Sequence, residues 1–180
     1  MFLIVGLGNP GSQYESTRHN VGFLFLNRIA QEAGVSIHLP RFQSLSARGR
    51  WHGHEIFFLK PQTFMNLSGG PVQEAAAFFK IPPQQIVAVF DDLDQAPGAV
   101  RMRTGGGHGG HNGVRDMLAK LPSDEFHRLK IGIGKPAHKS ATHSWVLGKF
   151  TGEEMNALEQ ESFPTAETRL RELIKRYDSK

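Results

Sequence analysis

The sequence of 180 residues contains no cysteine. This absence excludes disulfide bonds, a cysteine nucleophile, iron–sulfur clusters and zinc sites with cysteine ligands. Long apolar stretches are also missing: a run such as Met1–Val5 is far too short to span a bilayer, and no basic segment of a signal peptide precedes it. With 39% hydrophobic and 21% charged residues, the composition is that of a folded chain. We expect a soluble, cytosolic protein without membrane contacts.

Neither sign of charge dominates the chain, since it has 21 Lys and Arg against 17 Asp and Glu. The charges are nevertheless unevenly distributed. Residues 61–100 contain one cationic side chain and four carboxylates, whereas residues 101–139 contain eight cationic side chains and three carboxylates. A basic segment next to an acidic one is typical of a protein that binds a polyanion at a site with carboxylates of its own.

Short apolar runs alternate along the chain with segments of helical periodicity. This alternation predicts a single three-layer α/β domain over residues 1–180, with a mixed, largely parallel central sheet flanked by helices. The predicted strands cover residues 2–7, 45–51, 56–59, 86–90, 100–103 and 129–133, and the predicted helices cover residues 20–33, 68–79, 111–121 and 152–177.

Local signals mark the ends of several predicted helices. We expect Ser68 to cap the second helix, with Pro71 in its first turn. Thr151 and Glu154 fit a capping box at the start of the C-terminal helical region. Because proline breaks a helix interior, we expect Pro164 to divide this region into two helices.

Three predicted strands end in polar or glycine-rich loops, at residues 8–11, 91–94 and 104–112. In open α/β sheets, ligands bind at the carboxyl ends of the strands. The sequence therefore predicts that these three loops converge on an active site.

Three familiar catalytic patterns are incomplete or missing. The glycines within residues 6–11 match the spacing of a dinucleotide-binding loop, but no helix follows at once, and no predicted strand ends in an acidic residue about 20 positions further on. The nine histidines form no His-Glu-x-x-His pattern, and His108 and His111 have no evident third ligand, so we expect no metal. A serine nucleophile in a Gly-x-Ser-x-Gly motif is absent from the sequence.

The remaining candidates for catalysis are a histidine, a carboxylate and several side-chain amides. His19 stands just before a predicted helix, Asp91 ends a predicted strand, and Asn9, Asn66 and Asn112 lie in predicted loops. A neutral imidazole can accept a proton from water, a carboxylate can orient it, and amide donors can stabilise an oxyanion. This set favours hydrolysis of an activated carbonyl without a metal or a covalent intermediate.

Six blocks of residues carry a family resemblance over nearly the whole chain. They are Val5-Gly-Leu-Gly-Asn-Pro-Gly11, Tyr14 with Thr17-Arg-His-Asn-Val-Gly22, Lys60-Pro-Gln-Thr-Phe-Met-Asn-Leu-Ser-Gly69, Asp91-Asp-Leu-Asp94, Gly105-Gly-Gly-His-Gly-Gly-His-Asn-Gly113 and Phe126-His-Arg-Leu-Lys-Ile-Gly-Ile-Gly134. In these blocks and in their order, the chain resembles the bacterial-type peptidyl-tRNA hydrolases.

The resemblance implies an enzyme that cleaves the ester between a peptide and the terminal adenosine of tRNA, and so recycles tRNA from peptides dropped by stalled ribosomes. It implies that His19 is the catalytic base, that Asp91 keeps His19 in its basic form, and that Asn9 distinguishes N-blocked from free aminoacyl-tRNA. The residues implied to bind the peptidyl and 3′-end portions are Tyr14, Phe64, Met65, Asn66 and Asn112. A monomer without cofactor or metal is expected.

We expect the basic segment to contact the acceptor stem and 3′ end of tRNA, because phosphate contacts give affinity without reading sequence. The expected contacts are Arg101, Arg103, His111, Arg128 and Lys130. Two residues depart from the family pattern: Asp92 stands where Glu is common, and Lys130 stands where many members carry Arg. Lysine lacks the bidentate fork of arginine, which predicts somewhat weaker tRNA binding at that position.

Two other functions remain open on the sequence alone. One is a non-catalytic RNA-binding relative on the same scaffold, and the other is a metal-independent esterase or amidase acting on small N-acyl compounds. The full set of candidate catalytic residues favours an enzyme over a binding protein. The basic segment favours a polyanionic substrate over a small one.

Overall fold

The computed structural model describes residues 1–178 and contains a seven-stranded sheet with helices on both faces. The strands are β1 (Phe2–Gly6), β2 (Leu39–Arg41), β3 (Ser44–Trp51), β4 (His54–Pro61), β5 (Ile86–Asp92), β6 (Val100–Thr104) and β7 (His127–Gly132). Across the sheet they lie in the order β2-β3-β4-β1-β5-β7-β6. The four strands β4, β1, β5 and β7 pair in parallel, and the pairs at the two sides are antiparallel. The predicted mixed, mostly parallel sheet is confirmed.

The helices lie close to their predicted positions. They are α1 (Val21–Glu32), α2 (Gly69–Phe79), α3 (Asn112–Lys120), α4 (Thr142–Val146), α5 (Gly152–Ala157) and α6 (Phe163–Asp178). The sequence analysis did not predict α4 or β2, since both are short and carry little periodicity. Short 3-10 turns precede α1, α2, β5 and α4, and the turn before α1 is Arg18–Asn20.

Each face of the sheet has its own apolar core. On one face, α1 and α6 contribute side chains such as Ile29 and Leu170. On the other face, α2 and α3 contribute side chains such as Val72 and Met117. All four side chains are buried, and a buried side chain of this size contributes about 1.5–3 kcal/mol to folding. The two cores place the sheet between two layers of helices, as predicted.

A pair of glycines lets the start of α1 approach the sheet closely. A Cβ on Gly6 would lie 2.5 Å from the carbonyl oxygen of Gly22, and a Cβ on Gly22 would lie 2.2 Å from the carbonyl oxygen of Val89. Only glycine fits at these two positions, because any side chain would push α1 away from β1 and β5. The close approach brings the turn before α1, which carries His19, against the end of β5.

The predicted helix cap at Ser68 is wrong. Its hydroxyl donates to the carbonyl oxygen of Met65 at 2.7 Å and makes no capping bond. The first amide of α2, at Gly69, donates instead to Asp116 Oδ2 on α3 at 2.8 Å. Asp116, which is distant in the sequence, therefore accepts the hydrogen bond from the start of α2 that was expected to go to Ser68.

The C-terminal region follows the prediction with one addition. Thr151 and Glu154 form the expected capping box at the start of α5. A π-helical turn at Leu158–Ser162 joins α5 to α6. Pro164 is the second residue of α6 and closely follows this change of helix type.

The predicted convergence of three strand ends needs one correction. The strand β6 runs antiparallel to β7, with Thr104 opposite His127, whereas Asp91 of β5 lies level with Ile131. The end of β6 is therefore at the other edge of the sheet from Asp91. The third strand end beside β1 and β5 belongs to β4. The loop after β6 runs back along the sheet to α3, and its residues 108–112 lie near Asn9 and residues 91–94, so the predicted convergence of the three loops is confirmed.

Within residues 1–178, no helix is long and apolar enough to cross a membrane.

Candidate active site

A cleft of about 830 Å³ lies where β1, β4 and β5 end. The loop after β1 contributes Asn9, the turn after β4 contributes Met65, and the end of β5 contributes Asp91. Ten of the thirteen residues singled out from the sequence line this cleft: Asn9, Tyr14, His19, Phe64, Met65, Asn66, Asp91, His111, Asn112 and Lys130. Residues far apart in the chain thus meet at one edge of the sheet.

Two histidines share the carboxylate of Asp91. His19 Nδ1 lies 2.8 Å from Asp91 Oδ2, and His111 Nε2 lies 2.9 Å from Asp91 Oδ1. The Asp91 side chain is buried, and the two imidazole rings lie 5.2 Å apart between centroids. We call these three residues, as candidates for catalysis, the catalytic cluster. His111 was expected among the tRNA-contacting residues, and the structure brings it into the catalytic cluster.

The hydrogen bonds define which nitrogen of His111 carries the proton. Its Nδ1 accepts the backbone amides of Gly113 and Val114, at 3.2 and 3.4 Å, and so caps α3. A backbone amide can only donate, so Nδ1 is unprotonated and Nε2–H donates to Asp91. In His19, the bond of Nδ1–H to Asp91 leaves Nε2 as the ring nitrogen available to a water or a substrate.

Charge and burial shift two pKa values within the catalytic cluster. Burial by itself raises the pKa of Asp91, but the charge of protonated His19 and the hydrogen bonds from His19 and His111 outweigh it and hold that pKa well below its usual range. Burial by itself lowers the pKa of His19, but the Asp91 charge and hydrogen bond outweigh it and raise that pKa above 6.5. Asp91 is therefore an anion that stabilises the protonated form of His19.

The orientation of Asn9 is fixed by groups that surround it. Its Oδ1 accepts the backbone amide of Met65 at 2.7 Å, which leaves Nδ2 as the end of the side-chain amide that can donate to a ligand. The backbone of Asn9 forms two hydrogen bonds with the Asn20 side chain: Asn9 N–H donates to Oδ1 at 2.8 Å, and Nδ2 donates to Asn9 O at 2.9 Å. The sequence analysis did not single out Asn20, although it stands next to His19.

Phe64 has a backbone conformation that is unusual for a residue with a side chain. Its φ and ψ are 67° and 156°, a region populated almost only by glycine. The following peptide directs the amide of Met65 to Asn9. The phenyl ring is 51% exposed at the rim of the cleft and makes an edge contact with Tyr14, at 6.5 Å between centroids. These two rings offer an apolar surface to an adenine or a peptide side chain.

Lys130 connects the cleft with the basic strand β6. Its Nζ lies 3.6 Å from Asp92 Oδ2, so the two residues that depart from the family pattern form an ion pair. Lys130 also lines a smaller cavity of about 120 Å³, together with Arg103 and the glycine-rich residues 105–109. Arg101 and Arg103 are exposed on β6 beside this cavity.

Arg128, one of the expected phosphate contacts, is held by other groups of the protein, and its contact with a phosphate stays a prediction. Its side chain is buried, and its guanidinium donates to the carbonyl oxygens of Asp124, Phe126 and Gly106 at 2.7–2.9 Å. Arg128 therefore holds the start of the loop that returns from β6 to α3. Three hydrogen bonds of the guanidinium go to carbonyl groups, while its Nε has no partner within residues 1–178 and the side chain lines the smaller cavity beside Arg103 and Lys130.

The catalytic cluster also offers three atoms that could bind a metal ion, all within 4.8 Å of one another. From the sequence, no third ligand was evident for His108 and His111. The fold places two other potential ligands, His19 and Asp91, beside His111. The nitrogen–oxygen separations of 2.8 and 2.9 Å are those of hydrogen bonds. Two ligands at about 2.0–2.2 Å from one tetrahedral zinc ion stand about 3.3 Å or more apart. The arrangement therefore fits a hydrogen-bonded cluster better than a metal centre.

Comparisons with known proteins agree with this geometry. The family model described as Peptidyl-tRNA hydrolase matches residues 3–180. A peptidyl-tRNA hydrolase of Trichlorobacter lovleyi is 52% identical over 153 residues, which cover 85% of this chain and 79% of the relative. One of Desulfitobacterium hafniense is 48% identical over 160 residues, covering 89% and 86%. The crystal structure of peptidyl-tRNA hydrolase from Acinetobacter baumannii superposes with a TM-score of 0.88 at 39% identity, covering 98% of this chain and 91% of that one.

The matched region contains the sheet except for its first residue, the cleft and all three members of the catalytic cluster. Identity near one half over most of the chain is far above what a shared fold alone requires. The chain belongs to the peptidyl-tRNA hydrolase family of enzymes.

Proposed function

We propose that this protein hydrolyses the ester bond between the peptide and the tRNA of peptidyl-tRNA, with His19 as general base and without a metal ion. The observation that carries the proposal is the hydrogen-bonded cluster of His19, Asp91 and His111 at the bottom of a cleft lined by asparagines. The family membership supports the substrate class. The product is a tRNA that can be charged again.

In the proposed mechanism, His19 Nε2 accepts a proton from the water that attacks the ester carbonyl. The buried Asp91 stabilises the resulting imidazolium through its bond to Nδ1–H. The carbonyl oxygen becomes negatively charged in the tetrahedral intermediate, and neutral amide groups of the cleft donate to it. When the intermediate collapses, the ribose oxygen leaves and takes the proton back from His19. Water and ester are thereby converted into a carboxylic acid and an alcohol.

Asn9 supports the proposed preference for N-blocked substrates. Its Nδ2 is the donor directed to a ligand, because Oδ1 is occupied by the amide of Met65. A donor suits the carbonyl oxygen of a peptide bond and disfavours a free α-ammonium group, which is itself a donor. The monomeric state stays a prediction from the family resemblance, and the cytoplasmic location stays a prediction from the composition.

A direct assay tests the proposal. The purified protein should release the N-acyl amino acid from N-acyl-aminoacyl-tRNA, and His19→Ala should lower this rate by about 10²–10⁴, the usual contribution of a general base. His38→Ala serves as the matched control, since His38 is exposed and lies outside the cleft. Near-normal turnover by a folded His19→Ala protein would remove His19 from the mechanism, and an inactive wild-type protein would refute the function.

Chelation tests the metal-free chemistry separately. We expect full activity after the enzyme is stripped with a chelator, with magnesium returned for the tRNA alone. A minimal substrate that needs no folded tRNA serves as the control for this requirement. If stripping stops hydrolysis of the minimal substrate and zinc restores it, the catalytic cluster is a metal site and His19 is a ligand.

A further inference from the structure

We propose that Arg18 is a positioning residue that fastens one wall of the cleft to the turn carrying His19. The wall consists of residues 139–147, which include α4. The contacts of Arg18 do not depend on the proposed function, and only the kinetic part of the test rests on it.

Arg18 is a buried cation whose whole guanidinium is engaged. Its Nη2 and Nε donate to the two carboxylate oxygens of Glu154, at 2.9 and 3.2 Å. Its Nη1 donates to the carbonyl oxygen of Trp145 at 3.1 Å, and the guanidinium carbon lies 3.8 Å above the Trp145 ring. The Arg18 side chain thus joins Glu154 of α5 and Trp145 of α4 to the turn that carries His19.

Backbone contacts bring the same two segments together. The amide of Arg18 donates to Gly148 O at 3.0 Å, and the amide of Phe150 donates to Ser16 O at 2.9 Å. A Cβ on Gly148 would lie 2.6 Å from Arg18 Nη1, so the guanidinium fills the space in which a side chain would otherwise stand. The end of the wall is therefore aligned with residues 16–18.

The wall depends on these contacts because it has little stability of its own. The helix α4 has five residues, far fewer than an isolated helix needs. Val146 is its one buried residue. Apart from Arg18, the Trp145 side chain anchors the wall by donating from Nε1 to Gly134 O at 3.0 Å.

The wall forms part of the lining of the cleft. Six of its residues line the cleft: Lys139, Ser140, Thr142, His143, Val146 and Leu147. Asn9, Tyr14 and Phe64 also line the cleft. A wall that moves away would remove its six residues from the binding surface while leaving the catalytic cluster in place.

The chemistry of the contact argues for a positioning role beyond stability. A buried ion pair gains little over a well-packed apolar pair, because both charges lose their hydration. A bidentate pair stacked on an indole ring does, however, permit only a narrow range of geometries. We therefore expect Arg18 to determine where the wall sits.

If Arg18 holds the wall, its removal lowers the population of the binding-competent conformation. The apparent affinity falls in proportion to that population, while substrate at saturation restores the closed state. The expected signature is a KM raised by about tenfold, which corresponds to a competent population of about one tenth, with kcat within about threefold of wild type.

The experiment measures kcat and KM of Arg18→Gln and Glu154→Gln with N-acyl-aminoacyl-tRNA, together with the melting temperature of each protein. Glu154→Gln covers the case in which Arg18→Gln does not fold, because Glu154 lies at the start of α5 and a glutamine can still accept the amide of Thr151. Arg28→Gln is the matched control: Arg28 pairs with Glu167 at 2.7 Å, joins α1 to α6 and lines neither cavity.

We expect both variants at the Arg18–Glu154 pair to raise KM and the Arg28 variant to leave it unchanged. An unchanged KM in a folded Arg18→Gln or Glu154→Gln protein would overturn the proposal. So would a drop in kcat at constant KM, since it would connect Arg18 with the base and not with the wall. Absence of activity in the wild-type protein would instead refute the proposed function.

Discussion

Asp91 is the side chain on which the other members of the catalytic cluster depend. It orients His19 through Oδ2 and His111 through Oδ1, and burial leaves both oxygens committed to these bonds. The sequence pointed to Asp91 and His19 because one ends a strand and the other precedes a helix. The sequence did not predict the hydrogen bond between His111 and Asp91. His111 lies beside Asp91 only because the loop after β6 runs back along the sheet.

Replacing Asp91 by Asn should change both the rate and its pH dependence. We expect kcat to fall by about 10²–10⁴, because an amide does not stabilise the imidazolium of His19. In the wild-type protein Asp91 raises the pKa of His19 above 6.5, so the base becomes protonated, and activity declines, as the pH falls through that raised value. Without the anion this pKa drops, and the acidic limb moves to lower pH.

The measurement is kcat/KM between about pH 5 and 9 for the wild type and the Asp91→Asn protein. Asp94→Asn is the matched control, since it removes an exposed carboxylate from the same loop and should leave the midpoint in place. An acidic limb at the same pH in the Asp91→Asn protein would show that Asp91 does not set the basicity of His19.

Local sequence signals predicted elements well where both partners of a contact are close in the chain. The capping box of Thr151 and Glu154 formed as expected because its two residues are three positions apart. The cap expected at Ser68 did not form, because Asp116 from α3 reaches the first amide of α2. The strained turn at Phe64 also has a distant cause, the hydrogen bond between Met65 and Asn9.

Substitutions at Phe64 should reveal the strain in this turn. We expect the free energy of unfolding of Phe64→Gly to exceed that of Phe64→Ala by about 1–3 kcal/mol, because glycine populates this backbone region without strain. Phe78, which is 60% exposed in α2, gives the matched control. There, in the last turn of α2, Ala should be the more stable by up to about 1 kcal/mol, because alanine has the higher helix propensity. The two pairs are compared by urea unfolding, and an advantage of Ala over Gly at position 64 would contradict the strain.

The whole sheet decides which basic residues can meet a polyanion. Strand β6 at its edge carries Arg101 and Arg103 exposed, β7 directs Lys130 toward the cleft, and Arg128 from the same strand is buried. Charge counting along residues 101–139 cannot separate these cases. Arg128 and Lys130 are two positions apart on β7 and share a face, and Arg128 is buried because the loop after β6 covers it and accepts its hydrogen bond at Gly106 O. Arg101, Arg103 and Lys130 form the candidate tRNA surface.

Replacing Arg103 and Lys130 by Ala should weaken tRNA binding and flatten its salt dependence. For every phosphate that the protein no longer neutralises, the magnitude of the log–log slope should fall by up to about 0.7–0.9, because fewer counterions are released on binding. Hydrolysis of an N-acyl amino acid on a short 3′-terminal fragment should change little, since that fragment lacks most of the phosphates. Binding is measured over a series of salt concentrations and hydrolysis on both substrates.

Arg171→Ala is the control for the removal of one exposed cation, since Arg171 lies on α6 outside the basic segment. Equal decreases in hydrolysis of the full tRNA substrate and of the short fragment would place Arg103 and Lys130 in the catalytic step and would refute a docking surface at β6.

The sequence by itself determined the α/β class, most strands and helices, and the family, because apolar periodicity and contiguous motifs are local properties of the chain. It also identified His19, Asp91 and Asn9 as candidates from their residue types and positions. The tertiary structure decided what depends on distant contacts: the reversal of β6, the burial of Arg128, the place of His111 beside Asp91, and the fastening of α4 by Arg18. These features depend on packing between segments up to 136 positions apart, such as Arg18 and Glu154, and no local pattern encodes such contacts.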